Sequence, residues 1–199
     1  MLVASALVLV PAPADADVPK LDILVFAGPS TTTYVDLLET GRVRDTFIGW
    51  QVGFGSRVRK GAWFGQVLLS FNRWAFRFTD TETGLKLKGR VNAFELPFTG
   101  GYIPYQNPYF KLFLYAGFVN HFNTRVIVTA SLGDESVSFK ERPKAIELVI
   151  YQALARFGIA FDLAMFNVDF NYSIGMNSAT TAPERNSYHQ LQLNVAYLF

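Results

Sequence analysis

The chain reads as an all-β protein, an eight-stranded antiparallel up-and-down transmembrane β-barrel, and three observations predict this. Half of the 199 residues are hydrophobic and 16% are aromatic, while only 17% are charged, against about a quarter in soluble domains. Period-two alternation of apolar and polar residues recurs from Leu21 to Phe199, the signature of strands with one apolar face. Beyond the N-terminus no uncharged apolar stretch approaches the roughly 20 residues of a membrane helix. A closed barrel is the other fold that satisfies every backbone group in lipid.

The first element is an export signal. Met1 to Ala14 carry no charge, and the apolar core from Leu2 to Val10 is too short to span a bilayer as a helix. Ala14-Asp15-Ala16 is an A-x-A-like cleavage site, so residues 1–16 are expected to be a signal peptide and 17–199 the mature barrel domain. No Lys or Arg precedes Lys20, so the basic segment of a signal is missing and the true start is expected upstream. The alternative for this stretch is an ordinary buried strand or helix.

Eight strands follow. The first is expected over 21–30. The second alternates Ile48, Trp50, Val52 and Phe54 with Gly49, Gln51, Gly53 and Gly55. Noisier strands are placed over 63–74, 85–102, 110–119 and 148–161. The seventh sets Phe166, Val168, Phe170, Tyr172 and Ile174 against Asn167, Asp169, Asn171 and Ser173. The eighth sets Leu191, Leu193, Val195, Tyr197 and Phe199 against Gln190, Gln192, Asn194 and Ala196. Successive strand side chains alternate faces, so each has an apolar and a polar wall. The connections are expected at 31–45 (long), 57–62 (short), 79–84 (intermediate), 103–109 (short), 120–147 (very long), 162–165 (tight) and 175–187 (long). Short turns at one rim and longer loops at the other are the outer-membrane arrangement.

The polar faces are rich in glycine and amides (Gly49, Gly53, Gln66, Asn72, Gly117, Gly158), as suits the crowded interior of an eight-stranded barrel. The apolar faces are therefore assigned to lipid. Aromatics near strand ends, Trp50, Trp63, Tyr102, Phe110, Phe161, Tyr197 and Phe199, are the candidates for the membrane interface. Glu95, Lys111, Arg156 and Asp169, with Asn167 and Asn171, are expected to form a lumen network, because an unpaired charge in a low-dielectric interior is costly. The bland role of such a network is filling and register; the sharper one is a gate or narrow ion path. Arg57, Arg59 and Lys60 fall in the expected short turn, where the alternatives are contact with lipid phosphates and solvation of the turn, the second being favoured.

The run Val91-Asn92-Ala93-Phe94-Glu95-Leu96-Pro97-Phe98 resembles the Leu-Glu-Ile-Pro-Leu strand of PorT-like outer-membrane β-barrel domains. Tyr109 through Gly117, the segments Phe157 to Asp162 and Val168 to Gly175, and the closing Leu193 to Phe199 look like successive strands of the same family. The resemblance covers most of the mature chain through loose patterns, and the glycine-rich opening of the family is reduced here to Gly28. It implies an eight-stranded outer-membrane barrel whose C-terminal strand and terminal aromatic are read by the barrel assembly machinery. By analogy alone it implies a role accessory to protein secretion.

Other chemistry is sparse. A net charge of +2, without Lys/Arg runs interleaved with aromatics, gives no footprint for nucleic acid. Zero cysteines exclude disulfides and thiolate chemistry. Neither His121 nor His189 has a partner at metal-ligand spacing, and the residues two positions on, Asn123 and Leu191, are not the serine that outer-membrane lipid hydrolases use. No phosphate loop or serine elbow appears. The expectation is a non-enzymatic barrel without metal or cofactor, in the bacterial outer membrane. Its partners would be membrane lipid, the assembly machinery and envelope proteins contacting loop 120–147. A narrow pore is one alternative. The other is a soluble lipocalin-like carrier; Gly61-Ala62-Trp63 matches its G-x-W motif but precedes the third strand instead of opening the first.

Overall fold

The computed structural model describes residues 18–36, 47–79, 86–132, 135–142, 149–178 and 186–199; the expected signal peptide lies outside them. Nine strands form among these residues: β1 (Lys20–Asp36), β2 (Phe47–Lys60), β3 (Trp63–Thr79), β4 (Lys86–Gln106), β5 (Phe110–Leu132), β6 (Glu135–Glu141), β7 (Tyr151–Leu163), β8 (Phe166–Gly175) and β9 (Asn186–Leu198). All pairings are antiparallel, and β1 pairs β9 from Leu24↔Leu198 to Asp36↔Asn186, which closes the wall. The closed ring is β1-β2-β3-β4-β5-β7-β8-β9, eight strands. The ninth, β6, pairs the far end of β5 from Val126↔Glu141 to Leu132↔Glu135. The near part of β5 pairs β7 from Phe110↔Leu163 to Phe122↔Tyr151.

Alternation decides which face turns outward. Phe170 is 44% and Val195 51% exposed, while Asn167 and Asn194 are buried. Along β7 and β8 the inward positions are buried one residue in two. The apolar wall is thus the outer surface and the amides fill the axis, which is the polarity of a transmembrane barrel. Among the described residues no helix is long and apolar enough to cross a membrane; the strands do so.

The turns sort by rim. Lys60↔Trp63 closes a two-residue turn at Gly61, whose φ of 59° is one glycine adopts without strain. Asn107 Oδ1 accepts from the N–H groups of Tyr109 and Phe110 at 2.9 and 2.7 Å, an Asx turn. Leu163↔Phe166 closes a turn through Ala164 and Met165. Both ends of the barrel wall, Lys20 and Leu198, lie at this same rim, as Leu24↔Leu198 and Lys20↔Arg59 require. In barrels of this kind the short turns face the periplasm and the other rim the exterior.

The strands run farther than the sequence predicts. β1 continues to Asp36 and β4 to Gln106. The expected loop 120–147 is overturned: β5 continues to Leu132 and turns back into β6. A bulge explains part of the error. Register shifts between Asn92↔Arg125 and Ala93↔Asn123, so Thr124 is an extra residue and the inward parity changes from Asn123 to Val126. Bulges add one residue and re-aim those that follow. Arg57 and its neighbours are also corrected, since β2 runs to Lys60 and Arg57 is a wall residue, not a turn residue.

Candidate functional site

The interior is stratified. At the turn rim two apolar clusters seal it: Leu24, Phe26, Leu68 and Ala196, and Phe64, Ile103, Phe113 and Ala160. At the outer rim a third, Trp74, Val91, Val119, Val126, Val128, Leu154 and Tyr188, closes the axis again. The Glu95 network lies between, and a second polar group, around Arg57 and Asp162, is interleaved with the turn-rim clusters.

Glu95 is the hub of that middle layer. It stands on β4, two residues before Pro97, and is fully buried. Its Oε1 accepts from Asn72 Nδ2 at 2.9 Å and lies 3.1 Å from His121 Nδ1. Its Oε2 accepts from Arg156 Nη2 at 3.0 Å and from Gln192 Nε2 at 3.3 Å. Four strands of the wall, β3, β5, β7 and β9, therefore meet on one carboxylate. Arg156 Nε donates to Ser173 Oγ at 2.9 Å, bringing in β8. The outer shell orients the inner one: His121 Nε2 is 3.0 Å from Asn123 Oδ1, and Asn123 Nδ2 donates to the Val149 carbonyl at 2.8 Å. A buried ion pair is tolerable when its remaining lone pairs and protons are satisfied in this way.

A second ion pair lies nearer the turns. Arg57 Nη1 is 3.0 Å from Asp162 Oδ1, both 2% exposed, and Arg57 Nε donates to Gln66 at 2.9 Å. The guanidinium carbon sits 4.3 Å from the Phe113 ring centroid, a cation–π geometry. Asn167 Nδ2 donates to Asp162 at 2.8 Å. Between the two pairs, the Tyr115 hydroxyl donates to Asp169, which also accepts from Asn171 at 3.2 Å. Gly158 makes this reach feasible. A Cβ there would lie 2.1 Å from Tyr115 Cζ, so only a glycine lets the ring cross the wall.

Of the expected network residues, Glu95 and Arg156 bond directly, Asn171 joins Asp169, and Asn167 joins Asp162. Lys111 does not enter: it is half-buried at the turn rim and makes no ion pair or hydrogen bond among the described residues. Asp169 has a tyrosine partner instead of a cation. Arg57, Asp162, Tyr115 and His121 were missed. The signal for Arg57 is the continued parity of Gly49, Gln51, Gly53 and Gly55, and for His121 that of Tyr115, Gly117 and Val119. His121 is therefore a lumen residue on β5, not a loop residue.

The aromatics sit on two levels. Trp63, Tyr102, Phe110, Phe161, Tyr197 and Phe199 ring the turn side, where Trp63 packs edge-on to Tyr102 at 5.3 Å and Tyr197 on Phe199 at 4.7 Å. Of the seven, only Trp50 belongs to the other level, next to Phe71 and Phe94. Trp63 is 66% exposed on the outer wall, unlike the lumen tryptophan of a lipocalin. Among the described residues no group of three His, Asp or Glu side chains could hold a metal ion. The Glu95–His121 pair ends on Asn123 with no hydroxyl in line.

No family model and no curated protein matches the sequence. Solved structures do match by shape. The attachment invasion locus protein Ail of Yersinia pestis superposes with a TM-score of 0.51 at 14% identity, covering 89% of this chain and 98% of that one. A second Ail structure, in complex with the heparin analogue sucrose octasulfate, gives a TM-score of 0.52 at 15% identity over 90% and 99%. Neisserial surface protein A gives 0.48 at 14% over 89% and 97%. The chain has the fold of a bacterial outer-membrane eight-stranded barrel.

Proposed function

We propose that this outer-membrane barrel is non-enzymatic and acts as a structural or interaction subunit of the cell envelope, presenting the β5–β6 hairpin as its contact surface. One observation carries the reading. Beyond Phe122↔Tyr151 the wall of β5 no longer pairs β7 but β6, so the hairpin rises past the rim, and β6 ends the sheet order. A strand edge of that kind is a template for an added strand, and Val137 on it is 66% exposed. An accessory role in protein secretion is one form of this function. The name and the complex of the Yersinia neighbour, an attachment protein seen with a heparin analogue, support a surface-binding role in the same general sense. Membrane lipid contacts the outer wall, and the Tyr197-Leu198-Phe199 terminus is proposed as the signal read by the assembly machinery. The filled axis favours this reading over a pore, and the outward greasy wall favours it over a soluble carrier.

The test is photo-crosslinking in intact cells from positions 136, 137 and 138. Discrete adducts from these sites, absent from a control position such as Leu69 on the lipid wall, are expected. Smears alone, or adducts equal at both places, would reject the hairpin as a contact surface.

A further inference from the structure

The outer wall carries a basic groove at the level where the lipid-facing band ends. On β2, β3, β4 and β5 the outward residues run Val52–Trp50, Leu69–Phe71, Leu96–Phe94 and Phe118–Phe122, then change to Arg73, Asn92, Arg90, Lys88 and Arg125. Register puts them side by side: Trp50↔Arg73, Arg73↔Asn92, Ala75↔Arg90 and Asn92↔Arg125. Diagonal neighbours on one sheet face lie within reach of long side chains. Arg73 and Arg90, with Trp50 and Ile48, line a groove of about 240 Å³, smaller than the 300–1,000 Å³ of a site that encloses a whole ligand.

Among the described residues these cations have no acidic partner. Every other buried or half-buried arginine described here has an acidic partner: Arg57 with Asp162, Arg59 with Asp22, Arg156 with Glu95. Arg73, Arg90, Lys88 and Arg125 make no ion pair or hydrogen bond among the described residues. Arg73 Nε is moreover buried without a partner, which is costly for a donor on a charged group. On the opposite side of the barrel, the outward positions at this height are neutral: Thr31 and Thr33 on β1, Ala153 on β7, Ile174 on β8 and His189 or Leu191 on β9.

We infer that this groove binds the phosphate of a phosphorylated outer-leaflet lipid, with its acyl chains lying down the Trp50–Phe71–Phe94 wall. The chemistry is complementary at each level. Guanidinium groups bind phosphate oxygens with paired, charge-assisted hydrogen bonds. The aromatic row, with centroids 5.7 and 5.6 Å apart, begins where the headgroup ends, as interfacial rings do. A groove of this size beside the aromatic row suits a ligand whose tails stay in the bilayer. The inference rests on the exterior placement of this rim and not on the role of the hairpin.

The test uses the full mature barrel folded in a phosphate-free detergent and titrated with diphosphoryl lipid A, a phosphate-free glycolipid of matched chains, or inorganic phosphate, with binding read by native mass spectrometry. Lipid A is expected to bind at least tenfold more tightly than the phosphate-free lipid. Arg90→Gln should lower that affinity about tenfold, the scale of one charge-assisted bond. R73Q/R90Q should abolish the preference, and K20Q/K60Q on the turn rim should change nothing. Arg90 is exposed, so R90Q is a safe variant if R73Q fails to fold, as judged by gel mobility without boiling. Equal binding of the two lipids, saturation by inorganic phosphate at the same concentration, an unaffected R90Q, or an equal loss in K20Q/K60Q would each overturn the assignment.

Discussion

At the scale of single residues, the physics of the lumen is that of charges removed from water. Glu95 is surrounded by donors from four strands, and Arg156 and His121 rely on it. Replacing it by glutamine leaves the volume unchanged but removes the one acidic ion-pair partner, among the described residues, of a guanidinium that is 4% exposed. Leaving one member of a buried pair uncompensated costs about 3–5 kcal/mol. Glu95→Gln should therefore destabilise the folded barrel by about 3 kcal/mol, measured by urea unfolding in lipid vesicles with tryptophan fluorescence. Removing both charges is a different matter, because a neutral, well-packed pair is often no worse than an ion pair. E95Q/R156M should thus recover most of the loss of E95Q. A double variant as unstable as the sum of its singles would show that the two side chains do not act as a pair. That Glu95 and Arg156 belong inside was legible, since both lie on the minority face of an alternating strand. That His121 and Asn72 complete the site was not, because partner choice is set by register across strands and no local pattern encodes it.

At the scale of elements, alternation was readable wherever lipid imposes it. From Phe166 to Ile174 on β8 and from Gln190 to Val195 on β9, apolar outward side chains alternate with polar inward ones without interruption. The same rule fails past the rim. There the outside is water and the inside is the apolar cluster of Val91, Val126, Val128, Leu154 and Tyr188, so the pattern inverts, and the extra residue Thr124 shifts its phase as well. Thr124, Arg125, Thr129 and Ser138 then make β5 and β6 look like a soluble loop. A deletion of 120–147 would cut out His121, Asn123 and two of the four valines of the seal, Val126 and Val128, and with them part of the wall. A cut confined to the hairpin tip behaves differently: the Thr129 and Ser138 hydroxyls bond each other at 2.8 Å. Among the described residues, 130–137 add to the barrel wall only the Leu87↔Ala130 and Lys86↔Ser131 rungs to β4 and nothing to the apolar seal. Joining Thr129 to Ser138 through an Asn-Gly turn should leave the barrel folded, with unchanged mobility on unboiled SDS gels. Val126→Asp should weaken it by about 3 kcal/mol, since it buries a charge among apolar side chains without a partner. A tip deletion that abolishes the fast-migrating band, or a silent V126D, would refute this division of the strand.

At the scale of the whole molecule, the question is whether the axis conducts. An eight-stranded wall encloses a space only wide enough for its own side chains, and this one is closed three times. The aromatic and aliphatic clusters at the turn rim pack Phe26, Phe64 and Phe113, all buried, inside the wall. The Glu95 hub ties five strands together across the middle, and Trp74 and Tyr188, with rings 6.1 Å apart, cap the outer end. An ion would have to part the buried aromatic clusters, displace the satisfied Glu95 carboxylate and pass the Arg57–Asp162 pair packed on Phe64 and Phe113. The mature protein in planar bilayers at 1 M KCl is therefore expected to add no discrete conductance steps over many insertions. Insertion is checked independently by protease protection and by the mobility shift on boiling in SDS. Opening the seals should change that outcome before opening the polar layer does. Removing Phe64 and Phe113 together with Trp74 should give brief, small steps, whereas E95Q/R156M, which leaves both seals intact, should stay silent. Steps of uniform size from the unmodified chain would mean that the clusters part on the millisecond scale, and the barrel would then have to be read as a gated pore.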